Sequence, residues 1–399
     1  MLRRRMTVAI ALGTVTLLTA AACGGSSGGG GSNAAPPVPK VAMQQQLGKA
    51  EGQLNLVNWA GYAEDGTNDK TVDWVHPFEQ ATGCHVNDKI GNTSDEMVQL
   101  MKTGQYDGVS ASGDATLRLI YGGLVAPVNT SLVPNYATIQ PFLKDRAWNS
   151  VKQQMYGIPH GWGANLLMWN SKSVQPAPTS WGAVFDANSP YKSHITAYDS
   201  PIYIADAALY LMKHQPTLKI TNPYALDQKQ LDAAVALLKT QRANVGEYWA
   251  DYTKEVQAFE SGDSVIGTTW QVIANLITAD KKVTVQAIEP SEGSTGWSDT
   301  WMVAAHAAHP VCMYKWMNWI TSPTVNAQVA EWFGEAPAQS LACSHTADKS
   351  FCDTYHAADK AYSDSLHYWT TPTKHCLDGR GNVCTSYSQW TQEWTAIKG

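Results

Sequence analysis

From Gln53 onward, short apolar runs of two-residue period alternate with amphipathic runs of helical period, and this alternation limits the body of the chain to the α/β class. Gln53–Trp59 sets Leu54 and Leu56 against polar neighbours and reads as a strand. Val72, Val75 and Phe78 mark a helix stopped by Gly83, and His85–Ile90 is a second strand. Thr93-x-x-Glu96 reads as a capping box, with Met97, Leu100 and Met101 turned inward behind it. Tyr106–Ser112 is a third strand, and Asp114 is placed to cap the helix that Gly122-Gly123 ends. Strands and helices in this order predict a largely parallel sheet.

A second α/β series follows an extended run from Tyr156 to Trp169. Ile195–Asp199 is a strand, Ser200-Pro201 opens a helix, and Asp227-x-x-Gln230 caps another. Val256 and Phe259 lie on a helix closed by Gly262, and Ser264–Trp270 is again a strand. Val283–Ile288 and Trp301–Ala304 are extended, and helices follow over Val311–Ile320 and Thr324–Phe333. Past Leu341 no regular period is visible, and the tail reads as irregular.

The 399 residues are 44% hydrophobic and 16% charged, which excludes a disordered chain and a polytopic membrane protein. Trp (16) outnumbers Phe (6), and Tyr (17) is equally common. Phe serves as well in a dry core, so this excess points to rings at a wet or polar surface.

The first fifty residues read as an address and a tether. Arg3–Arg5 form a basic start, Thr7 to Ala22 is apolar and small, and Ala20-Ala21-Ala22 precede Cys23 and a Gly/Ser tract. The apolar run is too short for a spanning helix and reads as an export signal over residues 1–22. Cys23 in this setting resembles the lipidated cysteine of a bacterial lipoprotein signal, although Ala20 stands where Leu is usual. Ordinary cleavage after the alanines is the alternative. Residues 23–50 are then anchor and flexible linker. Removing the leader leaves 25 bases against 34 acids, an acidic surface that argues against nucleic acid and for cationic partners.

With Cys23 set aside, Cys84, Cys312, Cys343, Cys352, Cys376 and Cys384 form an even set, which in an exported chain is most simply three disulfides. Spacing does not fix their connectivity. Local loops Cys343–Cys352 and Cys376–Cys384 are the simplest arrangement and leave Cys84 with Cys312.

Catalytic motifs are missing from the body of the chain: outside the low-complexity Gly/Ser tract after Cys23 the sequence has no Gly-x-Ser-x-Gly, and it has no His-Glu-x-x-His, no phosphate-binding Gly-x-x-x-x-Gly-Lys and no Cys-x-x-Cys. His306 and His309 sit just before Pro310 with no accompanying carboxylate and read as a surface pair rather than metal ligands. Neither metal nor cofactor is expected. What recurs is an aromatic or a carboxylate at a strand's C-terminal end, where open α/β sheets bind ligands. Trp59 and Tyr62 follow the first strand, Ser112 and Asp114 the third, Asp199 and Trp270 two later ones. A Gly-rich turn presents Trp297 and Asp299 two residues apart, on one face if extended. Rings and acids of this kind suit an organic cation, through cation–π contact and charge-assisted hydrogen bonds. Each also has a structural reading, Asp114 as a helix cap above all.

The order and spacing of several short runs resemble the spermidine/putrescine-binding proteins of bacterial ABC importers. These are Leu54 to Tyr62 (Leu-Asn-Leu-Val-Asn-Trp-Ala-Gly-Tyr), Tyr106-Asp107-Gly108-Val109, Tyr156-Gly157-Ile158-Pro159 with Trp162-Gly163, Gly262-x-x-x-x-Gly267-x-x-Trp270, Trp297-Ser298-Asp299, and Val329-Ala330-Glu331 near Gly334. The resemblance implies a two-lobed, type II periplasmic-binding-protein-like fold, with a ligand cleft between two α/β domains. It places lobe 1 at residues 51–160, lobe 2 at 161–296, a return to lobe 1 at 297–340, and a disulfide-bearing tail at 341–399. Trp59, Tyr62, Trp270 and Trp297 match the family's ring positions, and Asp199 and Asp299 its amine-binding acids. Three positions depart from the pattern: Asp114 stands where an aromatic is common, Ile202 where a second acid lies, and Glu335 where a Tyr lines the cleft.

The expectation is a lipid-anchored, non-enzymatic solute-binding protein on the outer face of the cell membrane, a monomer serving permease subunits and capturing a polyamine-like cation. The same fold taking a sugar or another amine-bearing metabolite is the first alternative. A secreted hydrolase using Asp199 and Asp299 as an acid/base pair is the second.

Overall fold

The alternation of strands and helices condenses into one mixed sheet. A computed structural model describes residues 35–399, so the leader, Cys23 and the start of the linker lie outside the described residues. The strands are β1 (Gln53–Asn58), β2 (His85–Ile90), β3 (Gly108–Ala111), the short β4 (Ser150–Val151) and β5 (Gln154–Met155), and the long β6 (Ile158–Asn170). They continue as β7 (Ile195–Tyr198), β8 (Val245–Trp249), β9 (Ile266–Trp270), β10 (Val285–Ile288), β11 (Thr295–Val303), β12 (Ala336–Pro337) and β13 (His367–Tyr368).

The sheet runs in the order β2-β1-β3-β11-β6-β9-β7-β8. At one end β1 pairs parallel with β2 and β3, and at the other β7 pairs parallel with β8 and β9. Between them β11 and β6 run antiparallel to β3 and β9 and to each other. Each parallel group carries its own helices and its own hydrophobic core, one centred on Phe78, Trp301 and Trp316, the other on Phe185, Tyr203 and Trp249. This is the two-lobed α/β architecture, with β6 and β11 as the strands that run from one lobe into the other.

Several local expectations are corrected. Ser112, not Asp114, occupies the N-cap position of helix Gly113–Tyr121, and Asp114 lies in its first turn without a capping bond. Thr93 does accept from the Glu96 N–H, but the Glu96 carboxylate reaches back to the Asn92 N–H, so half of the expected box is displaced by one residue. Pro201 opens a 3-10 turn, Pro201–Tyr203, before the helix Ile204–His214 begins. Trp297 and Asp299 lie inside strand β11 rather than in a turn before it. Strand β8 was not anticipated, because Val245-Gly-Glu-Tyr-Trp is short and lacks alternation.

The tail is not irregular. It adds β13 alongside β11 and ends in helix Tyr387–Lys398, which opens on a full capping box between Ser386 and Gln389. Tyr387, Trp390, Trp394 and Ile397 share the buried face of that helix. Three disulfides join Cys84 to Cys312, Cys343 to Cys352 and Cys376 to Cys384. Asp107 accepts from the His309 N–H and ring, so His309 is tied to a carboxylate at the start of helix Pro310–Ile320.

Candidate functional site

β11 sets Trp297 and Asp299 on one face by the two-residue period of a strand, where β6 crosses beside it. The neighbouring residues of β6 are glycines for a steric reason. A Cβ on Gly161 would lie 1.9 Å from the Glu335 carboxylate, and one on Gly163 would lie 2.8 Å from the Trp297 ring. Glu335 itself follows the left-handed Gly334 that closes helix Pro323–Phe333.

Tyr62 joins these pieces. Its hydroxyl lies 2.6 Å from Asp299 Oδ2 and 2.7 Å from Glu335 Oε2, and Ser112 donates to Asp299 Oδ1 at 2.5 Å. Tyr62, Asp299 and Glu335 are fully buried or nearly so. Burial pushes the Asp299 carboxyl up to about 6, against the pull of its hydrogen bonds from Ser112 and Tyr62. Burial first, and then the charge of Asp299, raise Glu335 well above the usual carboxylate range. The nearest imidazole, His160, has Nδ1 3.7 Å from Glu335 Oε1, but burial holds its pKa down to about 3, so it brings no positive charge. Among the described residues neither acid pairs with a lysine or arginine.

Aromatic rings extend away from this pair. Phe333 stacks on Tyr62 at 4.1 Å between centroids, and Trp297 meets Phe333 edge-on at 6.2 Å. Trp270 meets Trp297 at 6.2 Å, and Tyr198 meets Trp270 at 5.5 Å. The Trp297 indole nitrogen is buried without a partner, whereas that of Trp270 donates to Asn165. A cavity of about 320 Å³ opens against Trp297 and Glu335.

Of the residues singled out from sequence, Tyr62, Ser112, Asp299 and Glu335 are hydrogen-bonded together, with Trp297 and Trp270 adjoining. Trp59 packs against two hydrophobic clusters of the first lobe and takes part in no ring pair among the described residues. Asp114 accepts from Ser94 Oγ, its other oxygen has no partner, and burial raises its pKa to about 7. Asp199 is ion-paired with Lys398 at 2.6 Å and also accepts from the Trp394 indole. It shares no hydrogen-bond partner with Asp299. His160, Phe333 and Tyr198 were not singled out, since a lone ring in an apolar run carries no signal of its own. The glycines 161 and 163 did carry one, as unexplained small residues inside a long strand.

The model of the bacterial extracellular solute-binding proteins matches residues 73–344. The spermidine/putrescine-binding periplasmic protein of Escherichia coli is 24% identical over 293 residues, covering 72% of this chain and 78% of its own length. A solved spermidine/putrescine ABC transporter protein of Listeria monocytogenes superposes with a TM-score of 0.71 at 19% identity, over 87% of this chain and 99% of its own. A binding protein of Agrobacterium tumefaciens in complex with glucopine superposes at 0.67 and 15% identity, over 87% of this chain and all of its own.

Proposed function

This chain belongs to the bacterial extracellular solute-binding proteins, the capture subunits of ABC importers, and from that premise we propose that it binds a small organic cation whose ammonium sits between Asp299 and Glu335. One observation carries the reading. Two buried carboxylates contact a single phenol that has one proton to give, and among the described residues no lysine or arginine neutralises them. Burying a second negative charge there is prohibitive unless a proton or a cation accompanies it. An ammonium supplies that charge and donates to both acids, while Trp297 offers an indole face to its methylenes, each buried CH₂ giving about 0.8 kcal/mol.

The relatives named for spermidine and putrescine make amines the first class to test. In this reading the two lobes, residues 51–160 and 161–296 with a return over 297–340, close on the ligand and present it to permease subunits. Cys23 anchors the chain by lipid to the outer face of the membrane. A thermal-shift screen of amines, betaines, sugars and amino acids tests the class, since a ligand of the folded state raises the melting temperature by mass action. Amines are expected to raise it and neutral sugars to leave it unchanged. A sugar that stabilises the protein while every amine fails contradicts the reading.

A further inference from the structure

Past residue 344, where the family match ends, the chain does not leave the molecule. After β13 the backbone N–H of Trp369 donates to the Gly296 carbonyl, and the Trp369 ring stacks on Tyr198 at 5.5 Å and 14°. Its carbonyl lies so close to Gly113 that a Cβ there would stand 1.8 Å away. Thr371 then donates to the Asp114 carbonyl at 2.8 Å and accepts from the Leu117 N–H at 3.1 Å. Two residues of the tail thus bond the first turn of helix Gly113–Tyr121, in lobe 1, and cover Tyr198, in lobe 2.

The terminal helix repeats the pattern. Tyr387 lies under the Arg118 guanidinium at 4.2 Å, and Lys398 Nζ reaches both oxygens of Asp199, at 2.6 and 2.9 Å. An internal ammonium therefore already occupies Asp199 and leaves that acid no free charge for a second amine. The same tail also supplies Tyr355, His356 and Tyr362 to the cavity of about 320 Å³ that opens on Trp297 and Glu335. That volume is at the small end of ligand pockets.

We propose that the C-terminal segment is a specificity-determining part of the binding site: Trp369, Thr371 and Lys398 fill its Asp114–Asp199 side, and Tyr355, His356 and Tyr362 wall the Glu335–Trp297 side. The cargo is then a compact solute with a single cationic head, not an extended di- or triamine. This inference rests on the cation reading of Asp299 and Glu335.

Calorimetry on the full chain with butylamine, putrescine and spermidine separates the two claims. The wild type is expected to bind butylamine at least tenfold more tightly than spermidine. Replacing both plugging side chains, Trp369→Ala with Lys398→Ala, is expected to raise spermidine affinity at least tenfold and to change butylamine affinity less than threefold. Spermidine binding to the wild type as tightly as butylamine overturns the role of the tail and leaves the cation reading standing. Failure of all three amines to bind the wild type overturns both. The wild-type series decides the matter even where the double variant does not fold.

Discussion

A phenol has one hydrogen to donate, yet Tyr62 lies within hydrogen-bond distance of two buried carboxylates. In the ligand-free protein one of these acids must carry the second proton and donate it back to the phenol oxygen. In the cation reading, Asp299, raised to about 6, and Glu335, raised further by the Asp299 charge, release that proton to water as an ammonium takes its place. Asp299→Asn keeps the shape and one of the two accepted hydrogen bonds while removing the charge. Loss of one partner of a buried ion pair costs about 3–5 kcal/mol, so amine affinity is expected to fall roughly a hundredfold or more with the fold intact, as read by calorimetry and circular dichroism. Stability follows the same protons. Asp299 at about 6, with Asp114 and Asp206 (buried in helix Ile204–His214, where it accepts from Thr295) at about 7, keep protons in the folded state that the unfolded chain releases near pH 4. Their contribution is fully present below that pH and is lost as pH rises through 6 to 7. The ligand-free protein is therefore expected to melt higher at pH 5 than at pH 8, and the gain from bound amine to be larger at pH 8. Melting curves at the two pH values, with and without amine, check both signs.

At the scale of elements, the site is made by what the two central strands leave out as much as by what they carry. Gly161 and Gly163 on β6 yield their side-chain space to Glu335 and Trp297. Gly161→Ala is expected to displace the Glu335 carboxylate and weaken amine binding at least tenfold, with melting changed far less than binding. Gly262→Ala, at a helix end with open space around its Cβ, is the control that carries backbone strain without touching the site. Much of this level was legible in the sequence. Capping signals such as Asp227 with Gln230 opened helices where expected, and the Trp297-Ser298-Asp299 spacing gave one face of a strand. Strand β8 was not legible, because β7 pairing and Trp249 packing hold a segment whose own pattern is weak. The terminal helix carries a local signal too short to show as a period: Ser386-x-x-Gln389 followed by Trp390 and Trp394 is a capping box before an amphipathic face. The ion pair of Asp199 with Lys398 was not legible, since nothing in a sequence brings its last residues back to its middle.

For the whole molecule, long-range ties decide how the lobes and the tail are held. Cys84 and Cys312 close a loop of 228 residues in sequence, joining the start of β2 to helix Pro310–Ile320 in the first lobe. Constraining so long a loop in the unfolded chain stabilises by about 2–5 kcal/mol, so Cys84→Ser with Cys312→Ser is expected to lower the melting temperature by several degrees. Amine affinity is expected to be unchanged, because the disulfide takes no part in the hydrogen bonds of Asp299 and Glu335. An unaltered melting temperature counts against the tie. The tail adds contacts from Thr371 to helix Gly113–Tyr121 and from Lys398 to Asp199 at the end of β7, and so bridges the two parallel groups of the sheet.

The central claim, that a buried acid pair trades its proton for an ammonium, has a direct test in calorimetry at pH 7 in two buffers of different ionisation enthalpy. The slope of observed enthalpy against buffer enthalpy counts protons exchanged on binding. About one proton released per amine bound by the wild type, falling towards none in Glu335→Gln, is the expected result. Tight amine binding with no proton released, and with affinity untouched by Asp299→Asn, contradicts the account.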